Sequence, residues 1–115
     1  MAAKTLPVRT GEFLLSESNG TRSREAVTFA SGAGVVIPGT VVGKVTASGK
    51  YIPYVDTATD GSQTAAGIVY ACVDATAADA PGVIICRDAE AAANFLTGLD
   101  ANAKTDLATL GVIVR

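Results

Sequence analysis

The sequence predicts a small α+β domain, mostly β with one or two short helices, preceded by an extended N-terminal arm. Three observations carry this expectation. The 115 residues amount to one domain. Short β-branched runs separated by Gly, Pro and Asp turns recur from residue 24 onward. Helix signals appear only after residue 87. With 12 Gly and no Trp, the core must be assembled from small side chains in thin layers.

Residues 1–24 read as the arm and residues 25–115 as the compact body. Lys4, Arg9, Arg22 and Arg24 against Glu12 and Glu17 leave the arm at +2, whereas five cations against nine anions leave the body at -4. The apolar residues of the arm, Leu6, Val8, Phe13, Leu14 and Leu15, fall in two short groups separated by Thr10-Gly11, with Pro7 inside the first. That is too little apolar surface to fold alone, and the body need not bury it.

In the body, Arg24 to Ala30 alternates well enough for a strand that Ser31-Gly32-Ala33-Gly34 ends. Pro38-Gly39 turns the chain into a strand over Thr40 to Thr46, and Ala47 to Lys50 connects it to Tyr51-Ile52-Pro53-Tyr54-Val55 as a hairpin. Pro53, which has no N–H, places the second strand at an edge or ends it early. Asp56 to Gln63 is a surface loop. Ala65 to Val73 and Gly82 to Cys86 are apolar on both alternating faces and read as the central strands. Asp88 to Leu96 has helix propensity. Asp100 to Leu110 is a helix with Asp100 as its N-cap and Ala103, Leu107 and Leu110 on one face, ended by Gly111 before a last strand, Val112 to Val114.

Several function classes fall away on composition. No His occurs, which removes Ser-His-Asp and Cys-His catalysis and the commonest metal ligand. A net charge of -2 opposes nucleic-acid binding. No apolar stretch reaches the roughly 18 residues of a membrane helix, and the N-terminus lacks the apolar core of a signal peptide. The expectation is a protein made and kept, or assembled, in a cytoplasm. Cys72 and Cys86 sit in apolar runs and read as buried, reduced thiols, with a disulfide between neighbouring strands as the alternative.

Five motifs have a bland reading beside the functional one. Gly32-Ala33-Gly34 begins like a dinucleotide fingerprint, but Ile37 replaces the third Gly and Pro38 follows. Asp56 to Gly61 resembles part of a calcium loop, yet Ala58 offers no ligand and Gly67 stands where the bidentate glutamate belongs. Asn19-Gly20-Thr21 fits a glycosylation site, but without a secretory signal it reads as a turn. Asp88 and Glu90, two apart, could form an acid/base pair on one side of a strand. Arg22 and Arg24, also two apart, would project from one face of an extended segment as solvated charges or as contacts to an acidic partner.

From Phe13-Leu14-Leu15-Ser16-Glu17 onward the chain resembles the head decoration proteins of lambda-like tailed phages. The likeness runs through Gly20-Thr21-Arg22-Ser23-Arg24-Glu25, Pro38 to Thr46, Ser48 to Tyr51, Gly61 to Ile68, Val73 to Thr76, Arg87 to Glu90 and Gly111 to Arg115. No single stretch is specific; their joint order and spacing makes the resemblance. It implies a homotrimer on three-fold and quasi-three-fold sites of the expanded head, on the outer surface of the virion, which stabilises the shell against internal DNA pressure. It also implies synthesis in the host bacterial cytoplasm and no enzymatic activity or cofactor. The partners are then the major capsid protein and the chain itself, with Leu6, Val8, Phe13, Leu14, Leu15, Thr21, Arg22 and Arg24 as capsid-binding residues. The family pattern also favours extended or irregular chain for Asp88 to Ala93 over the helix that propensity suggests. A trimeric binding or adhesion module outside a virus is the alternative, and a small enzyme using Asp88 and Glu90 the remote one.

Overall fold

The computed structural model describes residues 9–18, 20 and 22–115. The strands are Leu14–Glu17 (β1), Arg24–Phe29 (β2), Gly34–Val36 (β3), Val41–Lys44 (β4), Tyr51–Pro53 (β5), Ala65–Val69 (β6), Val73–Ala75 (β7), Ala80–Ile85 (β8) and Ala89–Ala91 (β9). A 3-10 turn at Ala93–Phe95 leads to the helix Ala101–Leu110 (α1), and Val112–Val114 (β10) follows it. The expected mostly-β α+β domain is what the chain forms.

Strands β2, β5, β4, β6 and β8 close into a barrel in that order. The doubly apolar runs explain why β6 and β8 lie within its wall. Val41, Ile68 and Ile85 enter a core cluster on one face, while their immediate neighbours Val42, Val69 and Ile84 enter a second cluster on the other. A strand with both faces buried cannot alternate apolar with polar, so continuous apolar sequence is the expected signature. The β4–β5 hairpin forms as expected, and β5 ends at Pro53. Small residues let the layers close: a methyl group at Gly82 would lie 2.6 Å from Phe29 Cε1 and 2.7 Å from Val73 Cγ2.

One strand expectation and one thiol expectation need correction. The run Ala65 to Val73 breaks after Val69, and Val73 to Ala75 leaves the barrel as β7 to pair antiparallel with β3. Strands of three residues are too short for a period to register, which is why this small sheet escapes sequence reading. In the gap, Cys72 is exposed, not buried, whereas Cys86 is buried in the second cluster; both thiols are free. Burial pushes the Cys86 thiol up from its ordinary value.

The third layer is the sheet β1-β9-β10, antiparallel between β1 and β9 and parallel between β9 and β10. Ala89 and Ala91 are buried, and their main-chain pairing with Val112 and Val114 overrides the helix propensity of this segment. Helix α1 packs on this sheet through Ala103 and Leu107. Asp100 caps it, accepting from Ala103 N–H at 2.7 Å. Leu110, assigned by spacing to the same face, lies exposed at the helix end, where Gly111 in the left-handed region turns the chain into β10.

Candidate functional site

The candidate binding residues read from the sequence lie between Leu6 and Arg24, and the fold uses several of them internally. Leu6, Val8 and Thr21 lie outside the described residues. Phe13, expected to be left unburied by the body, is fully buried among the cluster that includes Ala91, Leu107 and Val112. The physical reason is that β1 pairs with β9, which brings the preceding aromatic ring over the sheet that α1 covers. Leu14 is half-buried against the same cluster. Leu15 falls where the β1–β9 register shifts between Leu14 and Ser16, and is 55% exposed.

Arg22 and Arg24 do not share one face of a strand. Arg22 occupies a turn before β2 and is exposed, with its Nε 3.5 Å from Asp88 Oδ2. Its carbonyl accepts from Arg87 Nη1 at 2.8 Å. Arg24 is half-buried: Nη2 lies 2.5 Å from Glu17 Oε1, Nε donates to Oε2 at 3.2 Å, and the guanidinium sits 4.1 Å from the centroid of the Tyr70 ring. Ser23 donates its hydroxyl to the same Glu17 carboxylate. Main-chain contact reinforces this knot, because Gly11 N–H donates to the Tyr70 carbonyl at 3.0 Å.

Glu17 and Tyr70 are therefore the residues that sequence reasoning missed. Tyr70 was absorbed into an apolar run, and the signal for it was one phenol in a stretch otherwise made of aliphatic and small residues. Hydrogen bonding from Arg24 holds the Glu17 carboxyl below its ordinary value of 4.5, against the opposing effect of burial and with help from Ser23. A carboxyl depressed by folding contributes stability above its unfolded value, and this is lost as pH falls through the folded value. Glu90, Asp60, Asp74 and Asp79 are lowered in the same direction. Thermal stability should therefore fall as pH drops below about 4.5, and Glu17→Gln should flatten that acid limb. Melting curves from about pH 7 to about pH 3 test this; an acid limb unchanged in the variant would remove Glu17 from the account.

Asp88 and Glu90 do not form a carboxylate pair. Asp88 precedes β9 with φ at +48° and faces Arg22, while Glu90 accepts from Ser16 Oγ at 2.8 Å and pairs with Arg115. Hydrogen bonding from Ser16 and then Arg115 lowers the Glu90 carboxyl, the opposite of what a general acid requires. Gly34 opens β3, so no helix follows the glycines at 32 and 34. Asp60 spends its carboxylate on the Ser62 N–H and hydroxyl, as a turn residue does.

Fold and site together define a small mostly-β structural domain in which the charged groups of the N-terminal segment serve to tie it to a barrel. Residues 3–112, nearly the whole chain, match the family model of bacteriophage lambda head decoration protein D, and the chain belongs to that family. No curated protein matches the chain. Membership makes it one of a family of structural phage proteins that decorate the capsid.

Proposed function

We propose that this chain is a cement protein that binds as a homotrimer to three-fold and quasi-three-fold sites on the outer surface of the expanded phage head. In this role it stabilises the shell against internal DNA pressure. It acts without catalysis, cofactor, nucleic acid or membrane, and is made in the host bacterial cytoplasm. The observation that carries the reading is the family match across residues 3–112. The mechanism is linkage: a ligand that binds the assembled shell and not its dissociated subunits stabilises the shell by mass action. Trimerisation multiplies the effect, because once one docking segment is seated the other two bind at high effective concentration.

In this reading residues 1–24 dock on the major capsid protein and residues 25–115 form the body that presents them. Leu15 and Arg22, both exposed, are the contact residues best placed for that role, with Leu14 half-available beside them. Leu6, Val8 and Thr21 belong to the same proposed surface. Phe13 and Arg24 act instead as anchors that hold the segment on the body.

Purified chain added to undecorated expanded heads tests the function. Saturation at one chain per coat subunit, with heads that then survive heating better, is expected; no binding to such heads would overturn the reading. Arg22→Ala should weaken binding by about two- to fivefold per site at low salt and flatten its salt dependence, since an exposed ion pair contributes about 0 to 1 kcal/mol and acts through screened attraction. Equal salt slopes for the variant and the parent would remove Arg22 from the docking surface.

A further inference from the structure

The barrel closes through one residue pair. Strand β2 meets β5 only at Phe29 and Tyr51, in parallel, and the two elements splay apart toward the N-terminal end of β2. Pro81, which has no N–H, stands opposite Thr28, while Cys86 N–H donates to Ser23 O. On the opposite parity, Ala30 N–H donates to Tyr51 O. The main-chain groups of Arg24 and Ala26 therefore point away from β8 toward the opening, where no strand lies opposite them among the described residues.

The opening is a groove of about 390 Å³ between β2 residues Glu25 to Thr28 and the β4–β5 turn, with Lys44 and Lys50 on the turn side. Lys50 is engaged by Asp79 at 2.5 Å, and Glu25 lies 3.9 Å from Arg87. Lys44 is exposed and has no carboxylate within ion-pair distance among the described residues. The loop that follows β5 carries the opposite imbalance. Asp56 in this loop and Asp100 at the start of α1 lie 3.1 and 3.0 Å from the Tyr54 hydroxyl, and Asp60 belongs to the same loop as Asp56. None of the three has a Lys or Arg ion-pair partner among the described residues. Val55, 48% exposed, leads into this loop.

We infer that the β2 groove is one half of a head-to-tail interface between copies of this chain, and that the acidic loop at residues 55–60 of the neighbouring copy is the other half. The inference rests on the self-association proposed above and assigns its surfaces. Charge complementarity chooses the occupant: both signs are present on one chain. In the trimer proposed above each copy offers its groove to one neighbour and its loop to the other, which is a heterologous contact. Position then chooses a small closed ring over an open filament. Thr46 N–H donates to Asp60 O at 2.8 Å, and a methyl at Gly61 would lie 2.6 Å from the Lys44 carbonyl, so the acidic loop is seated beside the groove. Complementary patches on adjacent faces turn each copy sharply against the next, whereas patches on opposite faces would propagate a line.

Sedimentation of the full chain across a concentration series decides the matter. Lys44→Glu and Asp56→Lys should each weaken association about tenfold or more, and the double variant should recover most of the loss, because the pair is restored with its signs exchanged. Melting curves of each variant show that it folds. An unchanged association constant for Lys44→Glu overturns the inference, as does a double variant that fails to recover while both single variants fold. Intact trimers of Lys44→Glu that bind heads poorly would overturn it by giving the groove to the coat protein. A parent chain that stays monomeric throughout overturns the trimer reading itself.

Discussion

Phe13→Ala should lower the unfolding free energy by about 3 to 5 kcal/mol, the range for truncating a fully buried aromatic side chain in a core that cannot collapse around the void. Against a total of about 5 to 15 kcal/mol for a domain of this size, that is a severe loss. The site cannot relax easily. Phe13 is in the cluster with Ala89, Ala91, Ala103, Leu107, Val112 and Val114, most of them too small to swing into the gap. Its carbonyl also accepts from Ala92 N–H at 2.8 Å, so the backbone is pinned. In urea denaturation the midpoint should fall while the slope stays unchanged. A shift of less than about 1 kcal/mol would show that the ring packs loosely and that the segment before β2 is not part of the folded unit.

The same residue marks the limit of what the sequence made legible. The barrel strands could be read because burial on both faces writes continuous apolar runs at residues 65–69 and 82–86. The helix could be read because Asp100 and Gly111 bracket it with a cap and a left-handed stop. The extended course of Asp88 to Ala91 was legible only through the family resemblance, since its alanines favour helix locally and are strand because β1 and β10 pair on either side. The burial of Phe13 and the intrachain contacts of Arg24 were hidden for a related reason. An aromatic ring and a guanidinium near an N-terminus look available for a partner until the partners within the chain are known, and these are Leu107 and Val112, more than 90 residues away, and Tyr70. Ion pairs are equally silent in sequence. Nothing local links Glu17 to Arg24 across the turn between them, or Glu90 to Arg115.

Two residues beyond Phe13, the opposite outcome is expected. Leu15→Asp should leave the melting temperature of the free protein almost unchanged while lowering its affinity for expanded heads by about 100-fold. The side chain is 55% exposed at the register shift of β1, so the fold gains little from it. Burying the exposed half of a leucine against a partner contributes about 1 kcal/mol, and three copies per trimer bring the total to about 3 kcal/mol, or roughly two orders of magnitude in affinity. A carboxylate in that place adds the cost of desolvating a charge. Because the effect accumulates through valency, a monomeric form should lose only about fivefold or a little more, and comparing the two forms isolates Leu15 from any general weakening. Undiminished head binding by the trimeric variant would move the docking surface off β1, to the residues before Arg9 or to the turn that carries Arg22. A melting temperature that fell together with binding would instead make Leu15 a second anchor like Phe13.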